Sequence, residues 1–149
     1  QMAHAYTLFT NNGCLLPITF DKVNSPNDLQ CQQLITPKTA ETMRLMLSKT
    51  VEEGTGRTAQ TADYTAAGKT GTAQVLQNGR YLTNQHIGSF VGFAPAKEPR
   101  IIVAVTIDSP KVGSYYGAQT ASPVFANIVD ESLKSLKVKP DKIAVAKVK

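Results

Sequence analysis

Tryptophan is absent from this 149-residue chain, and only two cysteines and two histidines occur in it. The cysteines, Cys14 and Cys31, lack CxxC spacing, and His4 and His86 form no cluster with them, so no structural zinc is expected. No other metal or cofactor pattern is present. Spacing alone does not decide whether Cys14 and Cys31 are joined; two separate buried or free thiols are the expectation. No run approaches the roughly 18 apolar residues of a membrane-spanning helix, and no signal peptide opens the chain. An excess of one charge is also missing from most of the molecule. The net charge is +5, but residues 137–149 hold five lysines against Asp141, leaving 11 basic and 10 acidic residues in the body. A near-neutral body with a basic tail argues against a nucleic-acid groove. Residues 1–137 are therefore expected to form one domain, and 138–149 a basic, disordered tail.

What the chain does have is regular patterning. Met2, Tyr6 and Phe9 recur at helical spacing over residues 1–12, and Gly13 is a natural stop. The chain thus opens inside a helix pattern, as a fragment would. His4, on this helix, is read as a surface or satisfied residue. Alternating Leu16, Ile18 and Phe20 predict a strand over 14–23, followed by a polar connection over 24–33. Thr36-Pro37 reads as a helix cap and first turn, with Ala40, Met43, Leu47 and Val51 on one face and Gly54 ending it. Residues 54–63, including a solvated Arg57, read as a flexible loop. Beyond Val75, Asn78-Gly79 signals a hairpin, and strands are expected over 87–94 and 101–107. Ser122-Pro123 is expected to open a last helix whose apolar face is Phe125, Ile128, Val129, Leu133 and Leu136, closed by Pro140. An antiparallel β-sheet covered by helices, an α+β domain, follows.

The organising stretch is Tyr64 to Val75, YTAAGKTGTAQV. On a strand, Lys69 and Gly71 take one face while Thr70 and Thr72 take the other. Gly68 and Gly71 permit close approach to the backbone, and Ala66, Ala67 and Ala73 keep the surroundings small. Such an edge strand suits an extended peptide ending in a carboxylate: main-chain groups align it, and hydroxyls and an ammonium take the charge. A phosphate-binding P-loop is disfavoured, since the position that needs its first glycine is Asp63.

In sequence, Lys-Thr-Gly-Thr-Ala, the Asn-Gly turn, GFAPAKEPRIIVAVTID and SYYGAQTASPVF together resemble the penicillin-binding transpeptidases. Within them the likeness is to the class B, division-type enzymes of Gram-negative bacteria. It covers roughly residues 1–137, including QMAHAYTLFTNNG. The resemblance implies the penicillin-binding/serine β-lactamase-like fold and three motifs: Ser-x-x-Lys, Ser-x-Asn and Lys-Thr/Ser-Gly. No serine here has a lysine three positions on, so the nucleophile is missing. Ser25-Pro26-Asn27 fits the second pattern but lies in the polar connection and reads as turn chemistry. The chain is therefore expected to be the C-terminal part of a transpeptidase domain, inactive alone.

For the complete protein the resemblance implies a D,D-transpeptidase. A serine attacks the D-Ala-D-Ala bond of a peptidoglycan stem peptide, and β-lactams trap the acyl-enzyme. Lys69 and Thr72 are the implied catalytic residues of this chain: Lys69 supplies positive potential, and the Thr72 backbone N–H is one oxyanion donor. Thr70, Gly71 and Thr72 would hold the substrate, and Tyr115 and Tyr116 either wall its cleft or merely pack on the sheet. Ala118 departs from the family, which usually has a second glycine there. Implied partners are the stem peptide, β-lactams, the N-terminal remainder of the protein and divisome proteins; the implied location is the periplasmic face of the inner membrane. Two alternatives share the strand: a serine β-lactamase or β-lactam sensor fragment, and a non-catalytic peptidoglycan- or divisome-binding module.

Overall fold

The computed structural model describes residues 1–25, 29–111 and 113–142. Helix α1 spans Met2–Thr10. It is followed by a two-stranded ribbon, β1 (Cys14–Leu15) with β2 (Gln32–Gln33), and by α2 (Pro37–Glu52). A 3-10 turn at Arg57–Ala59 leads into β3 (Ala67–Gln77), β4 (Arg80–Ala94) and β5 (Ile101–Asp108). Helix α3 (Gly117–Ser135) completes the fold.

The three long strands form an antiparallel sheet in the order β3-β4-β5. The register places Lys69 opposite Val91, Thr70 opposite Phe90 and Thr72 opposite Gly88. The β3–β4 turn is set by Asn78 and Gly79, both at positive φ (50° and 75°). Two left-handed residues match the twist of the flanking strands. One face of the sheet packs Phe90 and Val105 against Ala121, Phe125, Val129 and Leu133 of α3, and the Phe90 and Phe125 rings lie 4.6 Å apart. The other face packs Ala67, Val91 and Phe93 against Tyr6 of α1 and Leu47 of α2. The helix-covered antiparallel sheet is the α+β architecture expected. Helix α2 begins at the expected cap: the Thr36 hydroxyl accepts from the Thr39 N–H at 3.1 Å.

Several expectations fail for physical reasons. The strand expected over 14–23 stops at Leu15, and Ile18 and Phe20 are exposed. Its partner β2 is only two residues long, and Pro17 brings no N–H to continue a ladder. Cys14 and Cys31 form a disulfide with Cα atoms 5.7 Å apart, rather than remaining separate thiols. The ribbon supplies the geometry that spacing could not: it pairs Cys14 with Gln33, beside Cys31. Closing a loop of this length is worth about 3 kcal/mol through the unfolded chain. Replacing both cysteines with alanine should therefore lower the urea midpoint; an unchanged midpoint would refute that contribution.

Helix α3 starts at Gly117, not at Ser122-Pro123, and Pro123 lies inside it. The irregularity is local. Proline withholds the N–H that would meet the Gln119 carbonyl, while the Ser122 hydroxyl donates to the Gly117 carbonyl at 3.1 Å. Of its forecast apolar face, Ile128 and Leu136 are exposed. The 54–63 loop is anchored rather than free, with Ala59 and Thr61 buried, although Arg57 is exposed as expected. The first residues of the forecast tail are bonded to the body. Tyr64 donates its hydroxyl to the Val138 carbonyl at 2.9 Å, and Val138 packs against the α3-side core. Residues 143–149 lie outside the described residues, as do Pro26 and Asn27 of the Ser25–Asn27 match.

Candidate active-site strand

Strand β3 is an edge: among the described residues only β4 pairs with it. Alternation assigns Thr70 and Thr72 to the α3 side and Lys69 and Gly71 to the α1/α2 side, as the sequence implied. The long lysine stem nevertheless brings its ammonium back to the hydroxyl side. Lys69 Nζ donates to Thr70 Oγ1 at 3.0 Å and to the Thr70 carbonyl at 3.1 Å, and Thr55 Oγ1 stands 3.5 Å away. Thr70 Oγ1 in turn donates to Thr55 Oγ1 at 3.3 Å. An ammonium and two hydroxyls thus converge on one exposed edge, where a carboxylate would find charge-assisted donors.

Thr72 is held differently. Its Oγ1 accepts the Gly117 N–H at 3.1 Å, which is the first amide of α3. No side chain of the helix's own cap performs that task, so a strand hydroxyl caps the helix from outside. Among the described residues the Thr72 hydroxyl donates to no acceptor.

The glycines of this strand are filled by the chain itself. A Cβ at Gly68 would stand 2.6 Å from the Val91 carbonyl and 2.7 Å from the Phe90 ring. At Gly71 it would meet Ser89 Oγ at 2.5 Å. Clearance at Gly71 therefore first accommodates Ser89.

Tyr115 stacks on His86 of β4, with ring centroids 3.9 Å apart and planes 16° apart. Its hydroxyl donates to that of Tyr116 at 3.2 Å. That hydrogen bond, then the charge of Tyr116 and then desolvation, holds the Tyr115 pKa above its ordinary value. Both tyrosines stay partly exposed beside the β3–β4 pair, since the Tyr115 carbonyl lies 3.1 Å from where a Gly88 Cβ would be. Tyr115 thus packs on the sheet and also borders the Thr72 end of the strand. Ala118, the departure from the expected glycine pair, sits in the first turn of α3, where alanine is favourable and no positive φ is needed.

Thr55, His86, Ser89 and the Gly117 amide were not singled out from sequence. Only Gly117 carried a signal, as the glycine after Tyr-Tyr. His4, by contrast, is satisfied as expected, its Nε2 lying 2.7 Å from the Leu16 carbonyl. A cavity of about 580 Å³ lies elsewhere, lined by Thr65, Lys97, Arg100, Lys139 and Asp141 among others and by none of Lys69, Thr70 or Thr72. Among the described residues no group of His, Cys, Asp and Glu could hold a metal, and no helix is long and apolar enough to cross a membrane.

Residues 1–130 match the family model described as the penicillin binding protein transpeptidase domain. Among curated proteins, the chain is 46% identical over 144 residues to a probable peptidoglycan D,D-transpeptidase PenA of Neisseria flavescens, covering 95% of this chain and 35% of that protein. It is 40% identical to stage V sporulation protein D of Bacillus subtilis, covering 95% of this chain and 22% of that protein. It is 32% identical to the peptidoglycan D,D-transpeptidase FtsI of Buchnera aphidicola, covering 95% and 25%. The chain thus spans about a third or less of these relatives. The apo transpeptidase domain of Burkholderia pseudomallei penicillin-binding protein 3 superposes with a TM-score of 0.87 at 37% identity, covering 95% of this chain and 43% of that domain.

Proposed function

Because the chain belongs to the penicillin-binding protein transpeptidase family, we propose that it supplies the substrate-holding edge of a peptidoglycan D,D-transpeptidase. The observation that carries the reading is the convergence of Lys69, Thr70 and Thr55 on the free edge of β3, with Thr72 two residues on. The C-terminal D-Ala-D-Ala of a stem peptide lies along this edge as an added strand. Its carboxylate takes the Thr70 and Thr72 hydroxyls, with the Lys69 ammonium supplying the counter-charge. Gly71 keeps the strand surface low, and Tyr115 and Tyr116 border the acyl side.

The chemistry needs a nucleophile that this chain does not contain, since no serine is followed by lysine at the third position. A serine in the remainder of the protein attacks the penultimate carbonyl and expels D-alanine, leaving an acyl-enzyme; an amine of a neighbouring stem peptide then takes the acyl group. The Thr72 N–H is one oxyanion donor and the serine N–H the other. Lys69 helps organise the proton transfers. β-Lactams enter the same path and stop at the acyl stage.

The names of the relatives favour this reading over a β-lactamase, a sensor or a passive binding module. In keeping with those names, the reaction belongs to cell-wall synthesis and acts on peptidoglycan outside the cytoplasm. On the FtsI likeness we assign it to the division septum, with divisome proteins as partners and an inner-membrane anchor upstream. Intact-mass spectrometry after incubation with a penicillin tests the core of the reading. The complete protein should gain a single penicilloyl adduct, and the 149-residue polypeptide none. Adduct on the short chain would mean that it holds the nucleophile; no adduct on the complete protein would remove the transpeptidase assignment.

A further inference from the structure

The segment after α3 returns to the turn that precedes β3, and its contacts there are specific. Asp141 Oδ1 accepts the Thr65 N–H at 2.7 Å, and Oδ2 accepts the Thr65 hydroxyl. Thr65 Oγ1 also accepts the Ala96 N–H at 2.9 Å, just beyond the end of β4. One threonine thus joins the start of β3, the end of β4 and the C-terminal segment. The neighbouring bonds reinforce the clamp. Tyr64, 1% exposed, donates to the Val138 carbonyl; the Lys142 N–H meets the Asp63 carbonyl at 3.2 Å; and Lys142 Nζ donates to the Thr61 carbonyl. Lys134 of α3 pairs with Asp63 at 3.4 Å.

This clamp matters because of what the clamped turn connects. The loop ending at Thr65 begins beside Thr55, whose hydroxyl lies within 3.5 Å of both Lys69 Nζ and Thr70 Oγ1. Thr65 itself lies two residues before the first residue of β3 and four positions before Lys69. A shift at Thr65 therefore reaches Lys69 by two routes, along the strand and around the loop through Thr55. Loss of about 1 Å in a catalytic group's placement can cost roughly 10²-fold in rate.

We propose that Asp141 is a positioning residue for the Lys69–Thr72 strand, acting through Thr65. The proposal rests on the reading of Lys69 given above. A carboxylate suits the task, since it offers two acceptor oxygens to the N–H and O–H of one residue at once.

The test uses the complete protein and a chromogenic cephalosporin or fluorescent penicillin, with the acylation rate constant and the pre-acylation dissociation constant measured separately. Asp141→Ala should lower the acylation constant about tenfold while leaving the dissociation constant within about twofold. Asp141→Asn, whose amide oxygen still accepts the Thr65 N–H, should recover most of the rate. Thr65→Val keeps the N–H that Asp141 accepts and loses only the hydroxyl, so its loss should be smaller, and the double variant should lose less than the product of the two single losses. Rates for Asp141→Ala within twofold of the parent protein would overturn the proposal. So would equal losses in both aspartate variants, or independent, multiplying losses at Asp141 and Thr65. Lys69→Ala in the same assay separates the two levels of inference. If Lys69→Ala lowers acylation strongly while Asp141→Ala stays within twofold of the parent protein, only the positioning role fails; if Lys69→Ala is itself silent, the functional reading of the strand fails.

Discussion

In the complete enzyme, Lys69→Ala should lower the second-order rate of acylation by a penicillin by about 10²–10³-fold, the range measured when one preorganised donor is removed from a reacting site. The geometry explains why the effect should be large and confined to function. The ammonium lies against Thr70 Oγ1 and the Thr70 carbonyl, on a strand edge that no other described strand covers. Its side chain is exposed and forms no ion pair among the described residues, so the fold loses little without it. A change in unfolding free energy within about 0.5 kcal/mol is expected. Lys69→Arg should recover only part of the rate, because a planar guanidinium cannot replace a compact ammonium between two hydroxyls. An alanine variant acylated within threefold of the parent protein would remove the ammonium from the site and, with it, this functional reading of the strand.

How much of this was legible beforehand varied with the kind of signal. Local chemistry read well. Thr36-Pro37 capped its helix, Asn78-Gly79 made its hairpin, and Lys69, Thr70 and Thr72 took the faces that alternation assigns. Pairings across the chain did not read. The Cys14–Cys31 bond depends on a ribbon of two residues per strand, too short to leave a periodic trace. Alternation at Leu16, Ile18 and Phe20 suggested a strand because period two was the only cue; nothing in sequence showed that no partner lay alongside. Thr55 looked like any loop threonine, and Asp141 like a tail residue among lysines, because each gains its role only from a neighbour far along the chain. The start of α3 was misplaced by a strong local signal, Ser-Pro, that serves here inside the helix.

Gly117→Ala should be the most damaging single-methyl change at the site, costing about 3 kcal/mol of stability, the upper part of the overpacking range, and about 10²-fold in acylation. A Cβ at this position would lie 2.3 Å from the Ser89 carbonyl oxygen, 2.4 Å from the Gly71 carbonyl oxygen and 3.0 Å from the Ser89 nitrogen. All three are backbone atoms of the β3–β4 pair, so no rotamer change relieves the contact. The start of α3 must retreat from the sheet, and the Gly117 N–H then leaves Thr72 Oγ1, now 3.1 Å away. The helix loses the one side-chain acceptor that its first amide has among the described residues, and Thr72 loses the donor that orients its hydroxyl. Gly79→Ala is the matched control. Its added methyl meets nothing within 4 Å, but φ is +75°, so it should cost about 1 kcal/mol of turn strain and leave acylation unchanged. Equal acylation by the Gly117 variant and the parent protein would mean that α3 can slide without disturbing Thr72, and the strand hydroxyl would then be oriented by something other than the helix it caps.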